Sequence, residues 1–356
     1  MKQRLGLFLC LILALAACSG PPPEAVIEHE AITSANTTAL LADLPPAVPD
    51  LSSFPVTIEN CGRTLTFTQP PERVVGLWQP VNETLLALGV QDRIIGFAGM
   101  YDSLPAEFDE AAQEIPKLGK ITTLYFPTKE VMIEAQPDLV VAEGLDNFAY
   151  DAAQGFATVA ELEASGANVY SSGAICRFTS DDSERRGLDS VYTDLENLGK
   201  IFGVSARADA IIARLKAREV AIETAVATAE PVQVAFFNGD DKAIYVLNTG
   251  IWSDLMAKAG GDNVFEGVAT DGEMSVEFFS VIDADVILYG TYPRNGFFPG
   301  RDPAEIEAYL SETFPEIPAV SNGRLSPIPT VVTEAGIRAL DGLEMIAKAL
   351  HPDAFK

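Results

Sequence analysis

The chain has 356 residues, 48% of them hydrophobic and 21% charged, with 51 acidic against 24 basic side chains and a net charge of −27 at pH 7. That excess argues against nucleic acid and against peripheral binding of the folded body to anionic lipid, while it favours solubility. Only two histidines occur, His29 and His351, too few for a zinc or manganese site built from a histidine cluster or for a serine triad of the common kind.

Lys2 and Arg4 precede an uncharged apolar run, Leu5 to Ala14, that is too short to span a bilayer comfortably, so residues 1–17 read as a signal peptide. The run ends in Leu15-Ala16-Ala17-Cys18 and resembles the lipobox of bacterial lipoproteins, in which cleavage precedes a cysteine that is then lipidated. This implies that Cys18 is the mature N-terminus, held to a membrane by acyl chains; an ordinary signal peptide with an incidental cysteine is the alternative. Loss of Lys2 and Arg4 with the leader takes the net charge from −27 to −29. Residues 18–53 are rich in proline and show no sustained period, which predicts a flexible tether in which His29 has no role.

The remaining residues, about three hundred, suit two domains better than one core. Val56 to Phe67 reads as a hairpin about Cys61-Gly62. Val74 to Trp78, a helix carrying Leu85, Leu86 and Leu88 and stopped by Gly89, and Arg93 to Ala98 form a βαβ unit. Its strands are parallel, so Trp78 and Tyr101 lie at or beyond their carboxyl ends, where open α/β sheets bind ligands. A helix over Thr128 to Ala135, a buried strand at Pro137 to Ala142, a helix through Phe156 to Ala164 and a strand at Asn168 to Ser171 complete an N-terminal lobe, 54–186. Residues 187–229 hold two helices; the second, from Ser205 to about Ala229, spans roughly 37 Å and reads as a strut between lobes. The C-terminal lobe, 230–356, begins with strands at Val232 to Asn238 and Ala243 to Leu247. Helices follow at Trp252 to Ala259 and Ser275 to Ile282, then a buried strand at Asp285 to Tyr289. A helix near Pro303 to Thr313, a strand at Arg324 to Pro327 and a helix from Glu334 to Leu350 close it.

Removal of Cys10 with the leader and lipidation of Cys18 leave Cys61 and Cys176, which in an exported chain are expected to pair as a structural disulfide. A metal site is the competing use, but no histidine or further cysteine is near them in sequence. An internal echo links the lobes: T-K-E-V-M-I-E-A-Q-P-D-L-V-V from Thr128 and S-V-E-F-F-S-V-I-D-A-D-V-I-L from Ser275. Each places an Asp opening a buried strand eight residues after a Glu, so Glu130 and Glu277 hold equivalent positions. Glutamates in a first helical turn are favoured by the helix dipole alone, so the echo by itself does not assign them a function.

The ordered series T-I-E-N-C-G-R-T-L-T-F, P-P-E-R-V-V, N-E-T-L-L-A-L-G, P-K-L-G, Q-P-D-L-V-V-A, A-G-G-D-N-V-F, S-V-E-F-F, D-V-I-L and A-K-A-L-H-P carries a family resemblance. From Phe54 to the end the chain resembles the lipid-anchored substrate-binding proteins of ABC importers for ferric siderophores, and more distantly those for haem and cobalamin. The resemblance implies two α/β lobes with mostly parallel sheets, joined by one long helix, with ligand in the cleft between them. It implies a monomer in the cell envelope that delivers its cargo to a permease and its ATPase. By position, Glu130 and Glu277 would dock on permease arginines, whereas Glu83 fits either dipole stabilisation or a cleft contact. Candidate ligand residues are Trp78, Tyr101, Tyr125, Trp252, Tyr292 and Arg294; the aromatics offer apolar contact and the arginine could neutralise an anionic ferric chelate. No cofactor and no metal bound directly by protein atoms are expected. Cobalamin and haem through a tyrosine remain competing cargoes. No G-x-S-x-G, H-E-x-x-H, C-x-x-C or G-x-G-x-x-G supports an enzyme, and a ligand-sensing lipoprotein without an importer would have no use for Glu130 and Glu277.

Overall fold

The computed structural model describes residues 35–118, 126–146, 148–173, 175–177, 186–239, 244–246, 249–267, 272–293 and 302–356. A short helix, α1 (35–41), leads to a hairpin of β1 (Val56–Asn60) and β2 (Arg63–Phe67), paired antiparallel about Cys61 and Gly62, both at positive φ. The N-terminal sheet contains β3 (Val74–Leu77), β4 (Ile94–Ala98), β5 (Leu139–Glu143) and β6 (Asn168–Ser172), all parallel in the order β4-β3-β5-β6. Helices α2 (Gln79–Ala87), α3 (Asp109–Glu114), α4 (Lys129–Ala135) and α5 (Val159–Ala164) lie in its connections. Every residue of β3 is buried, as expected for a parallel strand covered on both faces. The Cys61–Cys176 disulfide, with Cα atoms 5.4 Å apart, staples the hairpin turn to the segment after β6.

Two helices then connect the lobes. α6 (Asp189–Phe202) ends at Gly203, whose φ of 70° suits a residue without a Cβ, and α7 (Ser205–Val226) follows at once. Its 22 residues give about 33 Å at 1.5 Å each, slightly less than the length expected from sequence. α7 is bonded to both lobes. Its Arg207 donates to the Ala87 carbonyl at the end of α2 at 2.7 Å, and its Arg218 pairs with Asp341 and Glu344 near the C-terminus at 2.9 and 3.0 Å.

The C-terminal lobe comprises β7 (Val232–Gly239), β8 (Ile244–Val246), α8 (Gly250–Lys258), β9 (Gly261–Asn263), β10 (Gly272–Met274), α9 (Val276–Phe279), β11 (Val286–Thr291), α10 (Pro303–Thr313), α11 (Pro318–Ser321), β12 (Leu325–Pro329) and α12 (Ala339–Leu350). Its sheet runs β10-β8-β7-β11-β12, with β9 also on β7; β7, β9, β11 and β12 are parallel, and β8 pairs antiparallel with both β7 and β10. Alternation along the strands divides the lobe's apolar residues. Val234, Phe236, Val286 and Leu288 join a core continuous with the N-terminal lobe. Ala235, Phe237, Ile287 and Tyr289 face a second cluster with Phe265, Phe279 and Phe314.

Several expectations need correction. The segment expected to be tether through residue 53 is strapped to the body from residue 35 onward: Leu40 is buried, and Leu41, Leu44 and Ala47 pack on the core. Arg214 of α7 collects carbonyls at the end of α1, including Leu40 at 2.8 Å, Arg207 takes that of Pro45 at 3.0 Å, and the Asp50 amide donates to Gly203 at 2.8 Å. These arginines satisfy carbonyls that a short helix end leaves without partners. Cys18, His29 and the leader lie outside the described residues. The last helix begins at Ala339 rather than Glu334, because Thr330–Thr333 form a 3₁₀ turn and Glu334 is extended. The helix expected from Ser275 to Ile282 is the single turn α9, capped by the Ser275 hydroxyl.

Candidate ligand-binding cleft

The parallel topology brings the carboxyl ends of β3, β4, β11 and β12 to one seam between the lobes. At the end of β3 the backbone of Trp78 has φ of 123°, a region that ordinary residues rarely occupy. It is held there from both sides: its N–H donates to Ala98 O at 3.0 Å, and its carbonyl accepts from Asn82 N at 3.0 Å. The neighbouring strand must come close, and a Cβ on Gly99 would stand 2.9 Å from Trp78 Cα.

This turn aims the indole across the seam. Trp78 packs on Tyr101 at 4.6 Å between centroids and edge-on to Phe148 at 4.8 Å, and Phe126 packs edge-on to Phe148 at 4.9 Å. From the other lobe Tyr292, just past β11, stands 6.4 Å from Tyr101. Glu334, beyond β12, receives two hydrogen bonds on the same oxygen: Trp78 Nε1 donates to Oε2 at 2.8 Å and Tyr101 Oη donates to it at 2.5 Å. Burial pushes the Glu334 carboxyl up to about 8, Glu143 at the end of β5 adds to the shift, and the two donors oppose it. Burial, then the Glu334 charge, also holds the Tyr101 phenol well above its ordinary value.

Beneath these groups a second polar link crosses the seam. Arg338 donates from Nε to Glu83 Oε2 at 2.8 Å and from Nη2 to Glu83 Oε1 at 2.6 Å, in a pair whose side chains are only 8% and 1% exposed. Burial works against the Arg338 charge, but Glu83 outweighs it and the guanidinium stays above its usual range. Gln79 joins the two layers: its Nε2 donates to Glu83 at 2.9 Å, while its Oε1 accepts the Tyr101 and Asp102 amides at 3.0 and 2.7 Å. The dipole reading of Glu83 made from sequence does not describe it. It stands beyond the first turn of α2, and its partner is an arginine of the other lobe.

Of the residues singled out in the sequence, Trp78, Tyr101 and Tyr292 come together here. Trp252 lies in α8, half-buried against the main core, with a buried indole N–H that has no hydrogen-bond partner and no ring contact with this cluster. Tyr125 and Arg294 fall outside the described residues. Glu130 and Glu277 are exposed in the first turns of α4 and α9, beside exposed Val131 and Ile133 in one lobe and Val276, Phe278 and Val281 in the other. Glu334, Arg338, Gln79, Phe126 and Phe148 were not singled out from sequence. The sequence places Glu334 at the start of the last helix; in the structure it lies beyond β12 and the 3₁₀ turn Thr330–Thr333, whereas Trp78 and Tyr292 directly follow their strands, so distance from the strand end gave no signal for it. Among the described residues no group of three or more His, Cys, Asp or Glu is placed to hold a metal ion, and no helix is long and apolar enough to cross a membrane. His351 Nε2 lies 3.1 Å from the Gly260 carbonyl.

Two α/β lobes on a shared helix, with aromatic and carboxyl groups converging from strand ends on both sides, define a two-lobed solute-binding fold. The periplasmic binding protein family matches residues 74–331, and the chain belongs to it. It is 24% identical over 366 residues, spanning all of both chains, to the uncharacterized ABC transporter substrate-binding lipoprotein YvrC of Bacillus subtilis. It is 27% identical over 274 residues, covering 74% of this chain and 68% of the relative, to a cobalamin-binding protein of Halobacterium salinarum. Among solved structures, an ABC-type Fe3+-hydroxamate transport system protein of Saccharomonospora viridis superposes with a TM-score of 0.66 at 26% identity, over 83% of this chain and 99% of that one.

Proposed function

We propose that the chain is the lipid-anchored substrate-binding component of an ABC importer, attached through Cys18, that captures a ferric siderophore between its lobes and presents it to a permease. The observation carrying this reading is the convergence of Trp78 and Tyr101 from one lobe with Tyr292 and Glu334 from the other at one seam, in a chain of this family. Such a surface grips a cargo by contact and hydrogen bonding and performs no chemistry on it. The likeness to the Fe3+-hydroxamate protein supports an iron chelate, and the cobalamin-binding relative supports a corrinoid as the second reading.

Only two tryptophans occur in the chain, so fluorescence titration of the chain produced without residues 1–18 tests the reading. Substitution of Trp252 by Phe leaves Trp78 as the sole reporter. Saturable quenching by a ferric chelate at submicromolar concentration is expected, whereas quenching by cobalamin or haem alone would replace the cargo. No response to any of them would refute the receptor reading. Delivery rests on Glu130 and Glu277, each an exposed carboxylate beside exposed apolar residues. The double substitution to Ala should abolish capture of the permease without changing ligand affinity, and retained capture would remove docking from those positions.

A further inference from the structure

The aromatic wall of the cleft is backed by a turn whose conformation its own sequence does not favour. Phe148 stands edge-on to Trp78 at 4.8 Å and to Phe126 at 4.9 Å, yet its backbone φ is 59°, in the left-handed region that residues other than glycine rarely adopt. It opens the 3₁₀ turn Phe148–Tyr150, which packs on β5. A residue held in this way persists where the surrounding structure over-determines it.

The segment after β6 supplies part of that restraint. β6 ends at Ser172, and the chain turns back at Gly173, whose amide donates to the Asp194 carboxylate of α6 at 2.7 Å. The carbonyls of Ile175 and Cys176 then receive the Gly144 and Leu145 amides, both at 3.0 Å. The pairing of β5 thus continues past its last strand residue, Glu143, and Leu145 leads into Phe148. Cys176 is itself held from outside the sheet. Its bridge to Cys61 ties it to the turn of the β1–β2 hairpin, and Asn60, beside that turn, exchanges two 2.8 Å hydrogen bonds with Ser171 of β6. Hairpin, bridge, Cys176, Leu145 and Phe148 form one connected path that ends on Trp78. Cys176 is buried, but Cys61 is partly exposed and lines a cavity of about 210 Å³ with Tyr170 and Asp194, which gives a small dithiol access to the bridge.

Resting on the receptor reading above, we propose that the Cys61–Cys176 bridge positions the aromatic wall of the cleft, so that the oxidised chain holds cargo tightly and the reduced chain holds it more weakly. A dithiol reductant gives up two electrons and two protons, leaves as its own disulfide, and converts the bridge to thiols at Cys61 and Cys176. The Cys176 carbonyl then loses its anchor, Leu145 loses a fixed acceptor, and Phe148 relaxes from its left-handed conformation. Binding must first restore that order, which lowers affinity. A bridge with a purely structural role would lower the unfolding midpoint and leave the affinity of the folded chain unchanged.

The test uses the chain produced without residues 1–18, in which Cys61 and Cys176 are the only cysteines, with Trp252→Phe so that Trp78 alone reports. The probes are a ferric tris-hydroxamate, a ferric tris-catecholate and cyanocobalamin, and the one bound most tightly is carried forward. Two forms without the bridge are compared with the oxidised chain: the reduced chain blocked with iodoacetamide and freed of reductant, and Cys61→Ser/Cys176→Ser. With folding verified by far-UV circular dichroism, both should bind about three- to tenfold more weakly, and the near-UV signal of Trp78 should change even without cargo. Leu145→Pro keeps the bridge and removes the amide that the Cys176 carbonyl receives, so it should weaken the probe by a similar factor. In Phe148→Ala the wall is already gone, and loss of the bridge should cost no further affinity. Unchanged affinity in Leu145→Pro or in a folded bridge-free form, or an equal loss with and without Phe148, would overturn the proposal while leaving the receptor standing. No binding of any probe by the oxidised chain would instead remove the receptor reading and this proposal together.

Discussion

Replacement of Arg338 by Met probes the deepest link between the lobes. The substitution keeps a flexible stem of similar reach and removes the guanidinium, leaving Glu83, 1% exposed, beside the single remaining donor of Gln79 at 2.9 Å. An intact buried pair contributes little net stability, because desolvation offsets attraction, but removing one partner strands a buried charge at a cost of about 3–5 kcal/mol. The middle of that range is roughly a thousandfold in the folding equilibrium. Adding Glu83→Gln to Arg338→Met withdraws the stranded charge and leaves an amide that Gln79 can still bond. The double variant should recover all but about 1–2 kcal/mol. Urea unfolding followed by tryptophan fluorescence measures each step, with Trp78 and Trp252 reporting from different lobes. A loss below about 1 kcal/mol in Arg338→Met, or a double variant no more stable than the single one, would refute the description of this pair as a buried mutual dependence.

The Glu334 carboxyl, raised from 4.5 to about 8, retains a proton in the folded chain that the unfolded chain releases. Its contribution to stability is therefore fully present below about pH 4.5 and is lost as pH rises through 8, an effect on the order of a few kcal/mol. Glu334→Gln should accordingly gain on the unsubstituted chain in urea midpoint between pH 5 and 8, and parallel pH profiles would contradict the assignment. The Cys61–Cys176 bridge spans a sequence separation of 115, so in the chain-entropy account its loss should cost about 4–5 kcal/mol. Serine at both positions should lower the midpoint accordingly, and reductant should lower it in the unsubstituted chain alone.

The architecture was legible because its signals are local and periodic. Apolar runs such as Val74–Leu77 and Leu139–Ala142, short and rich in valine, read as buried parallel strands, and a proline-free stretch with few glycines gave α6 and α7. Trp78 and Tyr101 were placed at the seam by one rule, that ligands gather at the carboxyl ends of parallel strands, and Tyr292 entered as a candidate through the family resemblance. What escaped depends on contacts between distant segments. Glu334 and Arg338 sit in a stretch, E-A-G-I-R, that looks like the start of a helix; the bonds to Trp78, Tyr101 and Glu83 and the approach of Pro80 to Gly336, where a Cβ would stand 2.7 Å from it, show that the other lobe shapes this stretch. The α1 strap escaped for a similar reason. Its few leucines have no partner pattern until Arg207 and Arg214 of α7 arrive beneath them.

These same long-range contacts argue that the lobes move little against each other when cargo binds. A hinge of flexible strands would let two cores separate, but here one core runs from Val74 through α7 to Leu350 without a break. Glu83–Arg338 and the bonds from Trp78 and Tyr101 to Glu334 fasten the floor of the seam. A swing of tens of degrees would have to break the buried ion pair, stranding both charges, and open apolar surface in the shared core, each at a cost of several kcal/mol. Affinity for a cargo would have to supply that energy, and a ligand shifts such an equilibrium only by its differential affinity for the two states. The expected closure is a few degrees, and small-angle scattering profiles with and without cargo should nearly coincide. A large compaction on binding would mean that the cross-lobe bonds are weaker than their burial implies, and would lead us to expect only a small loss of stability in Arg338→Met as well.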